Sequence, residues 1–236
     1  MKRIVLSALL LAAPMLAQTS PNERITKLVA LQNVDPNAIQ NMVRMFGVDS
    51  AANGQMKSLV ISGSPDKVAA AEAAIKQLDV ALKNIDLTVY FVVGGDQANL
   101  EGGAVPQEIR DVITQLKGTF TFKEYKMLDV LTLRTRAGSS AQTSGMLNAS
   151  TPPKMSRFSI RNATVSEDGT TVRIDRMNAG LKIPVVLPAG KGVEYTDSGI
   201  LQDVDVKEGQ KVVVGRSSLE GPQKALFLIL TAHVIQ

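Results

Sequence analysis

Residues 58 to 80, SLVISGSPDKVAAAEAAIKQLDV, place an apolar strand directly before an amphipathic helix and mark the junction on both sides. Lys57 to Ser62 reads as the strand, and Gly63 ends it. Ser64 offers a side-chain cap for the helix, and Pro65 takes the first helical position, where its missing N–H has no intrahelical partner to lose. Val68, Ala71, Ile75 and Leu78 then recur at helical spacing as one buried stripe that stops before Asp79. Upstream, Val48 to Ala52 forms the strand paired with it across an Asn53-Gly54 turn. Still earlier, Ile25 to Leu31 alternates as a short strand. Asp35-Pro36 opens a helix with Ile39, Met42, Val43 and Phe46 on one face, and Gly47 ends it. The order is β-α-β-β-α, a small module over residues 22–80.

The chain continues past a linker at Val80 to Asn84 into a region spanning 86–236. Asp86 to Val93 reads as a strand and Gly94 to Val105 as a glycine-rich surface loop. Pro106 starts a helix carrying Ile109, Val112, Ile113 and Leu116, Gly118 stops it, and Tyr125 to Arg136 returns as a strand, giving a β-α-β unit. Gly138 to Pro153 holds too little apolar surface to order itself and is predicted to be a mobile loop. Beyond it the pattern is β: Phe158 to Val165 and Thr171 to Met177 around a Glu167-Asp168-Gly169 turn, Leu181 to Leu187, Val204 to Val206, and Lys211 to Val214 after Glu208-Gly209. Ala225 to Ile235 is apolar on both faces, which predicts a central strand. The fold class is therefore α+β: the β-α-β-β-α module, then a β-α-β unit leading into a mainly antiparallel β region.

The stretch 58–80 resembles the short periplasmic domain repeated in bacterial secretins of the type II and type III secretion and pilus systems. The resemblance covers about residues 25–80. It rests on the apolar strand ending in Gly63, the Ser64-Pro65 helix start, and the closing Leu78-Asp79 pair. It implies a compact sheet with two helices on one face, packed against neighbouring copies to build rings. "DVKEGQKVVVGR" followed by "ALFLILTAHVI" is similar to the end of the secretin core. The segment between Arg216 and Lys224 is much shorter than the membrane-spanning hairpin and lip region of a full secretin. The resemblance thus implies a reduced relative or accessory protein rather than a complete outer-membrane channel.

Residues 1–17 read as a secretory signal peptide: Lys2 and Arg3, an apolar run from Ile4 to Ala13, Pro14, and a small residue, Ala17, before the cut. No mature segment has the length and apolarity of a transmembrane helix, and Ala225 to Ile235 is strand-sized. The chain has no cysteine, which removes disulfides, thiolate ligands, a cysteine nucleophile and a lipoprotein acylation site. Removal of Lys2 and Arg3 leaves 24 of the 26 basic residues against 22 acidic ones, a net charge of +2. Such a balance does not favour a polyanion-binding surface.

Few residues suggest chemistry. His233 is the single histidine and lies inside the last apolar strand without a nucleophile motif, so a structural role is expected. Asp197, Asp203, Asp205 and Glu208 lack calcium-loop spacing and read as solvated turn residues, as do Glu167 and Asp168 before Gly169. The loop at 94–105 lacks phosphate-loop spacing. Arg134 and Arg136 share one side of a strand, as do Arg157, Ser159 and Arg161 in the next, and a solvent-facing surface is favoured over a basic binding face. No catalytic, cofactor or metal residue is assigned. The expectation is a non-enzymatic periplasmic component of secretin-type envelope machinery, held at the outer membrane through protein partners and able to self-associate. The rival readings are an exported hydrolase with a site of scattered Ser, Asp and Lys, and a nucleic-acid-binding module, which lacks the G-x-x-G loop between helices that such modules use.

Overall fold

The computed structural model describes residues 24–96, 100–147, 152–188, 192–219, 221 and 223–235. The expected signal peptide lies outside them. The chain divides into two compact units, Met1–Ala81 and Leu82–Gln236.

The first unit has the elements β1 (Ile25–Ala30), α1 (Pro36–Val43), β2 (Asp49–Asn53), β3 (Ser58–Gly63) and α2 (Pro65–Leu78). Its sheet is antiparallel with β3 in the middle, between β1 and β2. Leu59 and Ile61 of β3 point inward against Ile39 and Val43 of α1 and Val68, Ala71 and Ile75 of α2. Both helices begin with proline, and the Asp35 carboxylate caps α1 by accepting the Asn37 N–H at 2.8 Å. Ser64 holds the cap position of α2 without a side-chain bond. The apolar faces are narrower than the periodicity suggests: Met42 and Leu78 stay exposed, and so does Phe46, which lies beyond α1 in a tighter 3-10 turn, Arg44–Phe46, and so leaves the helical stripe.

The second unit is a three-layer arrangement. One sheet has the order β11-β12-β4-β5, built from β4 (Asn84–Gly95), β5 (Glu124–Arg136), β11 (Lys211–Ser218) and β12 (Lys224–Ile235). The other has the order β10-β9-β7-β6, from β6 (Ala141–Leu147), β7 (Lys154–Ile160), β9 (Thr171–Val186) and β10 (Val193–Lys207), with β8 (Asn162–Val165) also pairing with β9. Alternate residues of β12 serve two interfaces. Leu226, Leu228 and Leu230 meet the inward faces of β7 and β9, through Phe158, Ile174, Met177 and Ala179. Ala225, Phe227 and Ile229 face α3 (Arg110–Thr119) and the 3-10 turn before it (Gln107–Ile109), through Ile109, Val112, Ile113 and Leu116. The last strand is central and buried on both faces, as its sequence predicts.

Several expectations change. Ala141–Leu147 is strand β6, although 138–153 reads as a loop; pairing with β7 supplies the order that a polar Ser, Thr and Gly stretch lacks on its own. Gly94 and Gly95 belong to β4, not to a loop, and Gly94 lies under the rings of Phe227, Phe122 and Tyr125. Gly118 sits within α3 rather than ending it. The strands flanking α3 pair with each other antiparallel, so the β-α-β unit is not a parallel crossover. Thr171 to Met177 and Leu181 to Leu187 belong to one long strand, β9, which pairs with a β10 of 15 residues where the sequence suggests only Val204 to Val206.

Candidate functional site

The residues that suggested chemistry do not converge. His233 is exposed near the end of β12, opposite Asp86 in register. Arg134 grips Asp86 with two bonds, at 2.6 and 2.7 Å, and holds its carboxyl below the usual carboxylate range; partial burial opposes the shift, and His233 contributes less. Asp197 faces Arg157 at 3.8 Å and Asp205 faces Arg173 at 3.8 Å. Asp203 accepts the Arg176 N–H, and Glu208 accepts the Val234 N–H at 3.2 Å. Each acid therefore braces local structure. Among the described residues no three His, Asp or Glu side chains are grouped to hold a metal ion. Asp168 folds into its own turn, accepting from the Ser166 hydroxyl and from the Thr170 N–H and hydroxyl, which lowers its pKa to about 2.

The arginines separate as well. Arg134 and Arg136 lie on β5 and Arg157 on β7, so the two basic strands belong to different sheets and form no single basic face.

Among the described residues each sheet ends in two open edges: β1 and β2 in the first unit, β11 and β5 in one sheet of the second, and β6 and β10 in the other. Within the described residues β6 pairs only with β7, and β10 only with β9, so each carries a free row of backbone donors and acceptors. Natural sheets guard such edges with Lys, Pro or bulges. The sequence of β6, AQTSGML, has no charged residue and no proline. β10 carries Glu194, Asp197, Asp203 and Asp205 against Lys207. The two layers are laced beside β10, where the Ser198 hydroxyl donates to the Ser218 carbonyl at 2.9 Å and the Gln202 amide donates to the Val214 carbonyl at 2.8 Å. Beneath β6 and β7, the Ser156 hydroxyl donates to the Asp129 carboxylate of β5. These bonds hold the five-stranded sheet in place while β6 and β10 stay unpaired along their outer sides among the described residues. No spacing rule reveals an edge, since it depends on which strands find partners far along the chain.

No protein-family model matches the sequence, and no curated protein matches it. Solved structures do. The type II secretin GspD of enteropathogenic Escherichia coli superposes with a TM-score of 0.59 at 10% identity, over 89% of this chain and 87% of that one. The type IV competence pilus secretin PilQ of V. cholerae gives 0.59 at 12% identity over 90% and 77%. The Salmonella secretin InvG gives 0.56 at 13% identity over 91% and 88%.

The chain has the fold of a secretin.

At these identities the likeness is one of architecture. The secretin fold accounts for the two stretches that resemble the family in sequence, residues 58–80 and the pair β11 and β12. The connection between those two strands is short, Leu219 donating to the Lys224 carbonyl at 3.1 Å to close it.

Proposed function

We propose that the protein is a non-enzymatic assembly component of secretin-type machinery in the bacterial envelope, acting in the periplasm through further copies of itself and other envelope proteins. The observation that carries this reading is the uncharged edge of β6, which among the described residues is unpaired on a sheet whose opposite edge, β10, is unpaired as well. Two different edges on one subunit make a head-to-tail interface, and repeated head-to-tail contacts close into a ring when the rotation allows. Joining β6 of one copy to β10 of the next would satisfy both free backbone rows of that sheet and leave the core of each copy untouched.

The neighbours in fold support it. InvG is described as a secretin domain β-barrel, a shape in which sheets close without edges. GspD of similar fold is found in complex with the pilotin AspS, which supports a protein partner beyond the ring itself. Because the β11 to β12 connection is so short, the proposed role is that of a reduced relative, not a full outer-membrane channel. Neither rival reading gains an observation: the acids and His233 are dispersed, and the basic strands lie apart.

Native mass spectrometry of the full chain extracted from envelope fractions tests the proposal. A mass of many copies, alone or with a second envelope protein, is the expected result. A strict monomer at micromolar concentration, with no envelope protein attached, overturns it.

A further inference from the structure

A break in strand pairing runs across the five-stranded sheet at one level. Pairing of β7 with β9 ends at Ser159 and Asn178, and resumes as β8 with β9 from Asn162 and Asp175. On the other side of β9 the register with β10 slips between Gln202 and Val204. At the centre of the break Arg176 adopts a φ of +49°, a conformation that costs a side chain bearing a Cβ, and its N–H is held by the Asp203 carboxylate at 2.6 Å.

Beside this break lies a broad cavity of about 640 Å³ that is largely open to solvent. Gln142, Ser159, Asn178 and Leu201 form one cross-strand row along it, one residue from each of β6, β7, β9 and β10. Arg161, Arg176, Ser140, Ala141 and Ile160 complete the lining, and no acidic residue takes part. Neither guanidinium has an ion-pair partner among the described residues, whereas Arg157 and Arg173 on neighbouring positions do. The cavity thus joins two guanidinium groups that lack a side-chain ion pair to amide and hydroxyl groups, with the Asp203 carboxylate holding the Arg176 backbone beside it.

We propose that this cavity binds the phosphate group of a phosphorylated small molecule or headgroup, an activity beyond the assembly role and independent of it. A carboxylate is satisfied by one guanidinium fork, whereas a phosphate monoester brings close to two charges and three acceptor oxygens, which suits two arginines plus neutral donors. The open shape leaves room for the group that carries the phosphate, with Leu201 and Ile160 as apolar lining.

Titration of the full chain with inorganic phosphate, glucose 1-phosphate and acetate, followed by calorimetry at low ionic strength, tests it. Saturable binding of both phosphates, at least tenfold tighter than acetate, is expected. Arg161→Gln and Arg176→Asn should each weaken it at least tenfold. Asn tolerates the positive φ, so the melting temperature of Arg176→Asn should not fall, which separates lost binding from lost fold. Arg173→Gln, outside the cavity, should leave affinity within twofold. Vesicles of phosphatidylglycerol identify the source: arginine-dependent capture assigns the phosphate to a lipid headgroup, and no capture assigns it to a soluble ligand. Equal binding of acetate, preference for a poly-glutamate peptide over either phosphate, no saturable binding, or binding indifferent to both arginine substitutions overturns the proposal.

Discussion

Asp79 Oδ1 accepts the backbone N–H of Asn33 at 2.7 Å, joining the end of the second helix to the turn after the first strand, 46 residues earlier in the chain. The same carboxylate takes the N–H groups of Gln32 at 2.8 Å and Val34 at 3.1 Å, while the Asn33 side chain donates to the Asp79 carbonyl at 3.0 Å. A feature that reads in sequence as a mere module ending is therefore a clasp. It gathers three backbone donors that would otherwise depend on water.

Those bonds, first to Gln32 and then to Asn33, hold the Asp79 carboxyl below its ordinary value of 3.8. A folded-state pKa below the unfolded one means that the clasp stabilises fully above the unfolded value and is lost as pH falls through the folded one. Asp79→Asn should cost the first unit about 1–2 kcal/mol at neutral pH, a range set by charged hydrogen bonds and reduced for partial solvent access. Denaturant unfolding at pH 7 and at pH 2 checks it: the difference between wild type and variant should shrink at the lower pH.

Gly180 and Gly199 face each other across β9 and β10, and their backbones approach so closely that an added Cβ on Gly180 would sit 2.5 Å from the Ser198 carbonyl oxygen. Gly118, in the last turn of α3, has open space around its Cβ position. Gly180→Ala should destabilise the second unit by about 1–3 kcal/mol, since backbone must shift to admit the methyl. Gly118→Ala should stabilise it by about 0.5–1 kcal/mol. Thermal melts of the two variants should move in opposite directions.

The Ser166 hydroxyl is the largest influence on Asp168, followed by the N–H and hydroxyl of Thr170, and together they bring its pKa to about 2. The turn it braces is thus stabilised above pH 3.8 and loosens as pH falls toward 2. Ser166→Ala should raise the midpoint toward the ordinary value, read from the carboxyl carbon shift in an NMR titration.

The first unit was largely legible in sequence because its signals are local: prolines at both helix starts, an Asn53-Gly54 turn, and stripes at helical spacing. The second was legible where strands are buried, as in β12, and obscure where one side meets solvent. β6 escaped because its Ser, Thr and Gly residues have no apolar alternation, and β10 because most of its positions are exposed. β9 looked like two strands, Thr171 to Met177 and Leu181 to Leu187, because no alternating pattern bridges the residues between them, when Gly180 is there to let β10 approach. The cavity was illegible for a related reason. Arg161 and Arg176 meet only through a register break that no local pattern encodes.

The proposed ring contact between β6 and β10 makes a direct test possible, because the chain has no cysteine of its own. Within one copy β6 and β10 are separated by β7 and β9, about 14 Å at the usual strand spacing, too far for a disulfide. Chains carrying Ser144→Cys together with one cysteine scanned through residues 193 to 201 of β10 should, on oxidation in the envelope, give a ladder of covalent multimers at one register and its neighbours. Monomer at every scanned position would contradict the account.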